Sequence, residues 1–96
     1  MRFTDLIERQ LALFGEDYAD LIDASRAAER AYDRAGRDEA EERYGEYLDL
    51  VEEVTQALVD IRSAYVSTLD PPEAAEYEEA FDREVKRRLP AFSHGL

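Results

Sequence analysis

The sequence predicts an all-α protein: a long antiparallel helical hairpin with a shorter third helix against one end. Three observations predict it. Two stretches of about thirty residues carry apolar side chains in an alternating four–three spacing. Helix-breaking residues bound each stretch. The two seams also stay in register when the chain is folded back at Gly36.

Helix one is predicted over about 5–35, with Thr4 or Asp5 able to cap its first free N–H groups. Its seam is Ile7, Leu11, Phe14, Tyr18, Leu21, Ser25, Ala28, Tyr32 and Ala35, with Ser25 the polar exception. The seam stops at Gly36, the residue type best suited to a left-handed position just past a helix end. Asp38 and Glu41 then have the spacing of a capping box. Helix two, over about 38–69, repeats the pattern with Ala40, Tyr44, Tyr47, Val51, Val54, Leu58, Ile61, Tyr65 and Thr68. Pairing outward from the turn sets Ala35 beside Ala40, Tyr32 beside Tyr44, Leu21 beside Val54 and Ile7 beside Thr68. Unrelated amphipathic helices have no reason to keep such a phase. Each helix should be about 45 Å long at 1.5 Å per residue. Gly15 and Gly45 fall inside the helices, each costing about 1 kcal/mol relative to alanine. They are read as tolerated weak points, not as close approaches of another helix.

Asp70, Pro71 and Pro72 break helix two and begin helix three, predicted over about 71–89 and stopped by Pro90. Its apolar face is Ala74, Tyr77 or Glu78, Phe81, Val85 and Leu89. Lys86, Arg87 and Arg88 occupy its last turn, where positive charge complements the helix dipole. The tail, 90–96, shows no periodicity. Helix two carries a second apolar strip (Val59, Val66 and Leu69, with Arg62 among them), and helix one carries Phe3, Leu6 and Leu13 beside its seam. Both strips lie away from the turn. Helix three is therefore expected there, making that end a three-helix bundle and leaving two helices alone near Gly36.

Ninety-six residues make a single small domain. The absence of cysteine removes disulfides and thiolate metal sites and fits a reducing compartment. Acidic residues outnumber basic ones 24 to 12, for a net charge of −12. That charge disfavours phosphate backbones and anionic membrane surfaces, so neither nucleic acid nor membrane is an expected partner. No stretch approaches the ~20 apolar residues of a membrane span, and the first residues lack the apolar run of a signal peptide. A cytoplasmic location is expected. Lys86 is the sole lysine, alanine is abundant and asparagine is absent, a bias typical of high-GC bacterial codon usage.

Chemistry-bearing constellations are missing from the pattern. A di-metal bundle site needs inward glutamates with a Glu-x-x-His pair. The one histidine, His94, lies in the tail, and no seam position is acidic. Glu41, Glu42, Glu46, Glu52 and Glu53 read as a solvated face. A small all-α enzyme of chorismate-mutase type would need several inward cations. Arg9 and Arg62 flank the bundle without companions, and Arg62 is better explained as a covered arginine pairing with a carboxylate. No Ser-His-Asp set or phosphate loop occurs. No enzyme activity, metal or cofactor is expected.

Of the six tyrosines (Tyr18, Tyr32, Tyr44, Tyr47, Tyr65 and Tyr77), five occupy seam positions, where packing with the hydroxyl toward water accounts for them. The length and hairpin shape resemble those of the small secreted Trp-X-Gly proteins of actinobacteria. In that family the turn carries the Trp-X-Gly tripeptide, and the tail carries a tyrosine followed four residues later by an acid. Here the turn reads Arg34, Ala35, Gly36, tryptophan is absent, and Tyr77 is followed at that spacing by Phe81. Membership is not assigned. The expected function is a non-enzymatic protein-interaction or oligomerisation module. Leu48 and Leu50 flank the helix-two seam on opposite sides, a wider apolar face than a two-stranded coil requires. A homodimer forming a four-helix bundle is expected, with Tyr32, Tyr44, Tyr47, Leu48 and Leu50 as its candidate interface.

Overall fold

The computed structural model describes residues 2–96. Among them are four α-helices, one 3₁₀ turn and no strand: α1 Thr4–Asp17, α2 Ala19–Arg34, α3 Ala40–Val66, α4 Pro71–Arg88 and the turn Pro90–Phe92. The all-α class is thus as the sequence predicts.

The first predicted helix is two. Tyr18 leaves helical geometry (φ −111°, ψ 19°) between α1 and α2. Hydrogen bonds nevertheless run through it, from Tyr18 N–H to the Phe14 carbonyl and from Ile22 N–H to the Tyr18 carbonyl, each 2.9 Å. The break is therefore a kink, and it changes which side chains face inward. Ile22 is buried while Leu21, the seam residue, is partly covered and Tyr18 is exposed.

The helix ends also depart from the expected capping. Gly36 has no positive φ; Ala35 ends α2 by turning extended (φ −68°, ψ 141°). The Gly36 carbonyl then accepts from the N–H groups of Glu39 and Ala40, so the glycine opens the next helix instead of closing the last. The Asp38–Glu41 capping box does not form: Glu39 precedes α3 without a side-chain cap. Thr4 is already helical, with Phe3 before it and no side-chain cap from Thr4 or Asp5. Only Asp70 stands where expected, extended ahead of Pro71, although its carbonyl rather than its carboxylate takes the bond from Ala74 N–H, at 2.8 Å.

α2 lies along α3, with the Tyr32 and Tyr44 rings 5.1 Å apart and the Tyr47 hydroxyl donating to Glu29 Oε2 at 3.3 Å. α4 packs on both α1 and α3. Its fully buried Tyr77, Phe81 and Val85 meet Phe3, Ile7, Leu11 and Phe14 from α1 and the turn before it, with Val54 and Leu58 from α3. The Tyr77 ring is 5.5 Å from Phe3 and 4.7 Å from Tyr65. Arg62 on α3 bonds Asp82 on α4 at 2.7 Å, the carboxylate pairing its covered position requires. Of the helix-one strip placed beside α4, Phe3 is buried and Leu6 packs against the core, whereas Leu13 is 54% exposed.

The tail is ordered against the core, although it has no periodicity. Phe92 is buried, and its carbonyl accepts from Thr55 Oγ1 at 3.3 Å. Gly95 and Leu96 follow it onto the same region, the position of Gly95 lying so close to the Thr55 methyl that a side chain there would collide with it. Gly15 and Gly45, by contrast, have open space where a Cβ would stand. The described chain spans 51 × 22 × 19 Å.

Candidate interaction surface

From Arg26 through Glu53, no residue is buried. The core is confined to the half of the molecule that α4 and the tail cover. On α3 the buried residues are Val54 and Leu58; on α2 they are Ile22 and Ser25, all at the covered end. Beyond them the seam residues have no third layer, and the apolar spacing continues into solvent.

The residues singled out as an interface lie in this uncovered half. Tyr32, Tyr44 and Leu48 are exposed (37%, 44% and 36%), while Tyr47 and Leu50 are partly covered. Tyr32 and Tyr44 tilt against each other at 47°. Tyr47 is held by its bond to Glu29; burial, and next the neighbouring Glu29 carboxylate, push its phenol above the usual value. Leu50 stands on the opposite flank of the seam from Leu48 and takes no part in these contacts.

Leu48 has a definite relation to the covered half. It lies seven residues before Thr55, two helical turns along the same stripe of α3. Thr55 is capped by the tail, and Arg62, a further two turns on, by Asp82 of α4. The third layer therefore ends just short of Leu48. A cleft of about 190 Å³ marks the step, lined by Ser25, Arg26, Glu29, Tyr47, Arg88 and Phe92 among others. Drug-sized ligands generally occupy about 300–1,000 Å³.

Charge is distributed unevenly across this step. The turn and first residues of α3 carry Asp38, Glu39, Glu41 and Glu42 against the single cation Arg37, all exposed. The end of α4 carries Lys86, Arg87 and Arg88. Arg87 and Arg88 both donate to the one carboxylate of Glu84, which their hydrogen bonds hold below the usual carboxylate range. The end of α4 thus keeps a positive excess, and the turn a negative one.

Among the described residues no three His, Asp or Glu side chains converge as a metal site. No described helix is long and apolar enough to cross a membrane. What sequence reasoning missed here is the tail. Phe92, a large apolar residue between Pro90 and His94, was the available signal.

The chain matches no protein-family model, no curated protein and no solved structure.

Proposed function

We propose that this chain is a non-enzymatic interaction module: an antiparallel hairpin, three helices thick at one end, that pairs with a second copy into a four-helix bundle. The observation that carries this reading is the run from Arg26 to Glu53 without a buried residue. A pair of helices that buries so little has weak support. Helical stability in water comes mainly from packing an apolar face, and short isolated helices are marginal. Here the apolar face exists, with Tyr32, Tyr44 and Leu48 exposed and Tyr47 and Leu50 only partly covered within one chain. A second hairpin would bury it, and two-fold pairing of like surfaces is the commonest route to oligomers.

The net charge of −12 opposes association at a distance. That cost falls as salt rises, whereas apolar burial does not weaken. Light scattering after size exclusion, at tens of micromolar protein and moderate salt, tests the proposal. The expected mass is twice the 11.0 kDa of the chain, and a monomer under those conditions overturns it. Leu48→Glu should return the protein to monomer with its helical circular dichroism largely intact.

A further inference from the structure

Resting on that reading, we infer that the two copies pair antiparallel, the turn of each reaching the end of α4 in the other. Two independent features of the uncovered half point to this orientation.

The first is shape. α4 and the tail form a third layer over the stripe of α3 that holds Thr55 and Arg62, and this layer stops before Leu48. If two copies met through the Leu48 face with their turns side by side, their α4 layers would compete for the same space. With one copy reversed, each uncovered half fills the step beside its partner's α4. The uncovered length suits this: Ala40 to Glu53 on α3 spans about 20 Å at 1.5 Å per residue.

The second is charge. Asp38, Glu39, Glu41 and Glu42 outnumber Arg37 and leave the turn end acidic, while Lys86, Arg87 and Arg88 outnumber Glu84 at the end of α4. A parallel pair sets acidic turn against acidic turn and basic end against basic end, and like charges juxtaposed across an interface are costly. An antiparallel pair sets each acidic turn against a basic end, twice, by the two-fold axis. Arg26 and Arg88 line the cleft at the step, where that turn would arrive. The occupant of the uncovered face is accordingly a second copy, recognised by its own charge asymmetry.

The chain has no cysteine, so introduced ones report cleanly. Arg37→Cys in the turn and Lys86→Cys at the end of α4 are both on exposed residues. Mixed and oxidised, these two variants should yield the heterologous disulfide dimer in several-fold excess over either homodimer. If Arg37→Cys alone cross-links as readily as the mixture, the copies are parallel and the inference fails while the dimer stands. If light scattering gives a monomer, both fail together. A charge test checks the cause independently of cross-linking. Lys86→Glu with Arg87→Glu should weaken dimerisation at least tenfold at low salt, and adding a partner carrying Glu41→Lys and Glu42→Lys should restore it. Equal dimerisation by the reversed-charge variant, with unchanged circular dichroism, would overturn the charge argument and the orientation built on it.

Discussion

The Tyr77 hydroxyl donates a hydrogen bond to Gln10 Oε1 at 2.8 Å, joining the centre of α4 to α1 from inside the core. Tyr77 itself is fully buried, with Phe3, Tyr65 and Phe81 around its ring. Burial pushes its phenol up to about 12. The folded state thus binds this proton more tightly than the unfolded chain, whose tyrosines ionise near 10. The stability so gained is complete below pH 10 and is lost as pH rises toward 12. Denaturation midpoints should fall across that window in the native chain and fall less in Tyr77→Phe. The same variant should remove the latest-ionising tyrosine from a spectrophotometric titration. At neutral pH it should cost about 1 kcal/mol, the worth of one hydrogen bond.

Phe92→Ala should destabilise the protein by about 3 kcal/mol, because it empties a buried aromatic site that the rest of the chain cannot easily refill. His94→Ala, two residues further on and exposed, should leave stability unchanged within about 0.5 kcal/mol. Thermal melts of the two variants side by side separate an ordered tail from an idle one.

Arg62 is 16% exposed and Asp82 38%, so their ion pair is partly shielded from water. Arg62→Ala should cost about 1–2 kcal/mol, through both the lost charge-assisted bond and the lost packing of the arginine stem. Arg62→Met, which keeps the stem, should recover part of that loss in urea denaturation.

Gly45→Ala should stabilise by about 0.5–1 kcal/mol, since alanine is the better helix former and nothing stands within 4 Å of the added methyl. Gly15→Ala should behave similarly. A loss of stability in either would mean that a neighbour uses the space the single chain leaves open.

Much of the architecture was legible because hydrophobic periodicity is a strong signal over long helices. The breaks at Gly36 and Pro71, the buried face of α4, and the Arg62 pairing could all be read from spacing and residue type. The kink at Tyr18 could not, since no proline marks it and the hydrogen bonds run on through it. Its effect on the seam, exchanging Leu21 for Ile22, follows from that small rotation. Capping failed for a related reason. Asp38 and Glu41 have the right spacing, but α3 begins at Ala40 with Glu39 at its N-cap, one residue later than the box requires. The proposed interface residues were chosen for seam position and flank. Their exposure follows from α4 covering the end away from the turn, as the second apolar strip implies; how far the tail extends that cover to Thr55 is visible only in the folded chain.

The absence of buried residues from Arg26 to Glu53 also bears on how the molecule opens. Backbone amides exchange with solvent through local openings whose free energies follow local packing. Amides around Val54, Leu58, Tyr77 and Phe81 should wait for global unfolding. Those near Tyr32 and Tyr44 should exchange through fraying that begins at Gly36 and leaves the covered end intact. A partner that binds only the closed form must slow that fraying in proportion to its concentration. Protection of the turn-side amides that rises with protein concentration, while the core amides hold steady, would locate the site of association without any mutation.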